Sequence, residues 1–201
     1  MNKLIKIIIV CIAIVSTTLS SNPSLFSKEG MHTVISRCEK ANANCSSEKD
    51  LFEYGFALIA LKSDGGKGWP LIEESANKGF LPALYFNVER YYRDLDGKGQ
   101  KLDEASKFAG LTFKKLNAIG IGNWAAVDYL NMSFFYEEGF GTDKDVIKAF
   151  QMAKISSDMG DTSGKFKLLK MYKLGLGTPK NEKRSRELFE ELKKTDYFKN
   201  R

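Results

Sequence analysis

A single histidine, His32, stands in this chain of 201 residues. Any Ser-His-Asp or Cys-His nucleophile would have to use it, because such sites need an imidazole to accept the nucleophile's proton. No partner motif surrounds His32, so it reads as a surface or packing histidine. The cysteines are Cys11, Cys38 and Cys45, and their spacing is neither a Cys-x-x-Cys redox pair nor a zinc set. Asp94, Asp96 and Asp103 flank Gly97 in the manner of a calcium loop, with Gly97 as its sixth position. Position one would then be Tyr92, which brings no carboxylate, so the segment reads as a helix–helix turn. Neither Gly-x-Ser-x-Gly nor a Walker motif occurs. The Gly-x-Gly pairs lack a third glycine and follow helical patterns rather than strands, which excludes a dinucleotide fingerprint. Two glycosylation sequons, at Asn44 and Asn131, carry no weight, the second falling inside a helical pattern. The expectation is no catalytic residue, no metal and no cofactor.

What these residues sit on is more informative. The stretch Met132–Thr142 (MSFFYEEGFGT) returns as Leu168–Thr178 (LLKMYKLGLGT), an offset of 36 residues at every matched position. A fixed period of this size marks a stacked repeat. Each copy reads as an apolar helix ending in Tyr, a Gly-x-Gly turn, and the polar start of a second helix. Thr142 and Thr178 are expected to open those second helices, with Asp145 placed as in a capping box and Pro179 at a first helical position. The apolar spacing of three to four predicts helices over 51–62, 69–78, 81–92, 103–116, 124–137, 145–159, 164–174 and 181–193, four pairs in all. A short helix over 31–40 and a Ser47 cap precede them, with Gly66 and Gly68 expected to repeat the Gly-x-Gly turn.

Composition agrees with a folded chain: 43% hydrophobic and 28% charged residues exclude wholesale disorder. Net charge is +6, and removing Lys3 and Lys6 with a leader takes it to +4. Lysine and glutamate are interspersed rather than clustered on one face, which argues against nucleic acid. Residues 1–21 have the form of a signal peptide, with Lys3 and Lys6, an apolar run Ile7–Val15, and small polar residues up to Ser21. The run is shorter than the ~20 residues of a membrane span, so no integral span is expected after removal, an uncleaved anchor being the alternative. Val10 precedes Cys11 where a lipid-modified cysteine needs a small residue, which argues against a lipoprotein. Cys38 and Cys45 then remain, and an even count in an exported chain favours a disulfide over two free thiols. Loop-entropy arithmetic for so short a ring gives roughly 2.5 kcal/mol. The expected organisation is 1–21 signal peptide, 22–49 leader and disulfide-linked cap, and 50–201 repeat domain.

The motif resembles Sel-one-like repeats, the short α/α relatives of tetratricopeptide repeats. The resemblance rests on Gly164, Leu168, Tyr172, Gly175 and Gly177 in the last repeat and Met132, Ser133, Tyr136, Gly139, Gly141, Ala149 and Ala153 in the one before. Val88, Tyr92, Gly97, Gly99 and Ala105 match more loosely, and the first repeat has Ser63 at the Tyr position. Leu169 and Asp128 depart from the pattern where small residues belong. The resemblance implies an all-α, right-handed α/α solenoid exported to the periplasm or beyond, acting without catalysis by binding a protein. An antibacterial effector met by an immunity protein, a sensor and an envelope component under assembly are the partners it implies. Cysteine-rich relatives imply a β-lactam-binding or hydrolysing enzyme instead, but they carry cysteine pairs in every repeat, which this chain does not. Positions that line the groove of tetratricopeptide repeats fall here on Phe86, Arg90 and Arg93; Leu130, Phe134 and Glu137; and Phe166, Lys170 and Lys173. Aromatic and cationic residues of this kind make interaction hot spots, unless the phenylalanines are core.

Overall fold

The computed structural model describes residues 27–40, 45–62 and 64–195. The expected signal peptide at 1–21, the Asn44 sequon and Ser63 lie outside the described residues. The described chain is helical, with no strand: α1 (Lys28–Cys38), α2 (Glu48–Lys62), α3 (Gly65–Asn77), α4 (Leu81–Arg93), α5 (Leu102–Ile119), a short 3-10 turn (Ile121–Asn123), α6 (Ala126–Glu138), α7 (Val146–Asp158), α8 (Thr162–Leu174) and α9 (Glu182–Lys193). Four helix pairs follow α1, as the period predicts. No described helix is long and apolar enough to cross a membrane. The chain divides into two compact units after Lys115, within α5.

In the first unit α1 packs on α2, α2 on α3, and α3 on α4. The Ser47 hydroxyl caps α2 by accepting from the Asp50 N–H at 3.1 Å, the role its position predicts. Cys38, closing α1, is bonded to Cys45 just before α2, with Cα atoms 5.6 Å apart. Phe52 and Phe56 of α2 meet the edge of the Phe86 ring, while Trp69 of α3 stacks on it at 5.7 Å. Gly66 and Gly68 do not form the expected turn. They lie inside α3, which starts at Gly65 with Asp64 as its cap. Gly68 is there for close approach: a Cβ on it would stand 2.6 Å from the Gly55 carbonyl oxygen of α2.

In the second unit α7 packs on α6, α8 on α7 and α6, and α9 on α8. The repeated turn is built alike in both copies. Gly139 and Gly175 close α6 and α8 in the left-handed conformation, at φ 78° and 72°. The chain then folds back so that Asp145 N–H donates to the Tyr136 carbonyl and Asn181 N–H to the Tyr172 carbonyl, both at 2.8 Å. The caps of α7 and α9 are therefore Asp145 and Asn181 rather than Thr142 and Thr178. Asp145 accepts from the Ile147 and Lys148 N–H groups, and Asn181 accepts from Arg184. Those bonds, the Lys148 N–H foremost, hold the Asp145 carboxyl below its ordinary pKa. Of the two departures from the repeat pattern, Asp128 is buried and accepts the Ala125 N–H at 2.8 Å, pinning the start of α6. Leu169 joins Leu168, Leu188 and Leu192 in the core between α8 and α9.

Candidate partner-binding surface

The nine expected contact residues separate by unit and by burial. Phe86 and Arg90 are corrected by the structure: they are 1% and 5% exposed and face inward. Phe86 sits among aromatic rings, and Arg90 is held by carboxylates. Its Nε and an Nη lie 3.0 and 2.9 Å from Asp96 Oδ2, the other Nη reaches Glu73 at 3.4 Å, and the guanidinium lies over Trp69 and Tyr91. Neither is available to a partner. Asp96 is thereby committed to Arg90, and Asp94 accepts from the Gly99 N–H, so the expected helix–helix turn is an internally bonded loop. Arg93 is exposed and pairs with Glu89 on the preceding helical turn. Burial pushes the Glu89 carboxyl up, against the opposing pull of Arg93.

In the second unit Leu130 and Phe134 are half-buried. Phe134 packs on Phe140 at 5.7 Å and lies under Lys167 Nζ, while Glu137 pairs with the same Lys167. These two residues hold α8 in place. Phe166, Lys170 and Lys173 are exposed on α8, and the fold brings them together. With α9 they form a groove of about 880 Å³. Its apolar part comes from Phe166, Leu169, Leu174 and Phe189, of which Phe166, Leu174 and Phe189 are 45%, 60% and 42% exposed. Lys170, Lys173, Lys180 and Arg186 border it with a single carboxylate, Glu182. Lys180 pairs with Glu182 at 2.8 Å and, by that hydrogen bond, holds its carboxyl below the ordinary value. Lys170 and Lys173 form no ion pair among the described residues. Such an arrangement can desolvate apolar side chains and meet negative charge around them.

Leu174, Arg186 and Phe189 were not among the expected residues. Phe189 left a signal all the same. Ser185, Leu188 and Leu192 form the buried stripe of α9, and Phe189 lies beside it in an otherwise charged helix. His32 is exposed on α1. No group of three or more His, Cys, Asp or Glu side chains among the described residues is placed to hold a metal ion.

No family model and no curated protein sequence matches the chain. Solved structures do. A Sel1 repeat protein from Oxalobacter formigenes superposes with a TM-score of 0.53 at 14% identity, covering 73% of this chain and 40% of its own. A protective antigen of uropathogenic Escherichia coli strains, with the same repeat fold, gives 0.57 at 19% identity, covering 81% of this chain and 32% of its own. The chain is an all-α repeat protein with the Sel1-like fold. It spans less than half the length of either neighbour.

Proposed function

We propose that the chain is a non-catalytic protein-binding module of the bacterial envelope, and that the α8–α9 groove is its contact surface. The observation that carries this reading is the exposure of Phe166, Leu174 and Phe189 side by side beneath a cationic border. Large apolar side chains left in one patch on a folded surface mark interaction sites. The Cys38–Cys45 bond suits an oxidising compartment, and the form of residues 1–21 suits export to it. In the finer version of the reading, the periplasmic partner is an antibacterial effector and this chain its immunity protein; a sensor or an assembling envelope component is the alternative partner.

Affinity capture from native envelopes tests it, using the chain tagged through a flexible C-terminal linker beside an F166S/F189S variant with unchanged circular dichroism. One stoichiometric partner, absent from the variant, is the expected result. The partner's identity then separates effector from sensor or assembly component. Equal capture by both chains would remove the groove from the reading.

A further inference from the structure

The second unit contains its own template for what fits the groove. One repeat earlier, the corresponding face of α6 and α7 is filled by α8. Lys167 of α8 pairs with Glu137 and covers the Phe134 ring. Met171 of α8 packs on Ala149 and Ala153, beside Phe150. Adding the 36-residue offset turns Phe134, Glu137, Ala149, Phe150 and Ala153 into Lys170, Lys173, Ser185, Arg186 and Phe189. All five border the α8–α9 groove. The groove is thus the repeat equivalent of a site that holds a helix, with two chemical changes. The carboxylate of Glu137 becomes the ammonium of Lys173, reinforced by Lys170 and Arg186. The small floor at Ala153 becomes a phenyl ring at Phe189.

We infer that the α8–α9 groove binds an amphipathic acidic helix of a partner protein, seated as α8 is seated on α6 and α7. That helix carries a carboxylate in the register of Lys167, facing Lys173 and Lys170, and a small side chain in the register of Met171, facing Phe189. Its apolar flank covers Phe166 and Leu169. The inference rests on the protein-binding reading above and adds the chemistry and pose of the partner. Charge complementarity also excludes a second copy of α8 as occupant, because its Lys167 would meet Lys173 and Arg186.

A charge-swap cycle on the full chain tests the pose. The probes are two fluorescein-labelled peptides of the α8 sequence, Thr162–Leu174, both carrying K165E, K170E, K173E and M171A, and the second, the acidic peptide of the pair, K167E as well. Binding is read by fluorescence anisotropy. The unaltered chain should prefer the acidic peptide by about fivefold, the size of one partly exposed ion pair, and the K173E chain should reverse that preference. Equal affinity of both chains for both peptides, or no binding of the acidic peptide at about 1 mM, overturns the inference. Tighter binding of the acidic peptide by a chain carrying F198A would identify the chain's own terminal residues as the occupant, and would overturn it as well. A captured envelope partner that F166S/F189S abolishes but K173E leaves intact would sink this inference while sparing the protein-binding reading.

Discussion

Arg90 and Asp96 form a two-nitrogen ion pair inside the first unit, their side chains only 6% and 3% exposed. Asn87 Oδ1 accepts from the same guanidinium, and Trp69 covers it. Such a pair ties the loop after α4 to α3 and α4, and it is costly to break from one side. R90A strands the Asp96 carboxylate without its cation, and a loss of about 3–5 kcal/mol is expected, measured by urea unfolding. R90A/D96N should recover part of that loss, because the orphaned charge is gone. A variant at Arg90 that lost a partner would thus report unfolding rather than a missing contact.

Tyr91 belongs to the same network, its hydroxyl donating to Glu73 at 3.0 Å. Burial, aided by the Glu73 hydrogen bond and charge, pushes its pKa up to about 12, against the pull of Arg90. Above the ordinary tyrosine value the unfolded chain releases this proton and the folded chain keeps it. The associated stabilisation is complete below about pH 10 and is lost as pH rises from there through about 12. Tyrosinate absorbance should show a late phase that Y91F removes. A titration identical in Y91F would mean that Tyr91 ionises with the rest.

How much of this was legible beforehand varies with position. The 36-residue period exposed the helix pairs because Gly139, Gly175 and their neighbours are needed at fixed places to reverse the chain. Gly66 and Gly68 misled because identical letters sit inside α3 instead of in a turn, Gly68 serving a close helix crossing at Gly55. Phe86 and Arg90 were misplaced because α4 is packed on several sides, and periodicity marks a helix without marking which face stays open. Arg90 is buried only because two carboxylates come to meet it, Glu73 from the preceding helix and Asp96 from the loop that folds back after α4. Phe189 escaped because the expected contact register used only the first helix of each pair, whereas the groove is completed by the second.

Two glycines share an unusual backbone and should respond differently. Gly160 and Gly177 both have positive φ, 90° and 68°. A Cβ on Gly160 meets nothing within 4 Å, while one on Gly177 would collide with the Val146 carbonyl at the start of α7. G160A should cost only the left-handed backbone penalty of about 1–2 kcal/mol. G177A adds displacement of a neighbouring helix terminus and should lose clearly more, read as the difference in denaturation midpoint between the two variants. Equal losses would mean that the α8–α9 turn yields freely away from α7.

The bond between Cys38 and Cys45 closes a ring of eight residues, the two cysteines being seven apart in sequence. Chain-entropy arithmetic for so short a loop gives about 2.5 kcal/mol, drawn from the unfolded state rather than from contacts in the fold. α1 has independent anchors, since Met31, Val34 and Ile35 are buried and Arg37 reaches Asp50 at 2.7 Å across to α2. The paired substitution C38S/C45S should accordingly lower the denaturation midpoint of the first unit and leave α1 helical, as judged by amide exchange. Removing the buried end of that anchor as well, with I35A, should release α1 altogether, because core truncation adds about 2–5 kcal/mol. Loss of α1 protection in C38S/C45S alone would show that the bond, and not the packing of Val34 and Ile35, holds the first helix to the repeats.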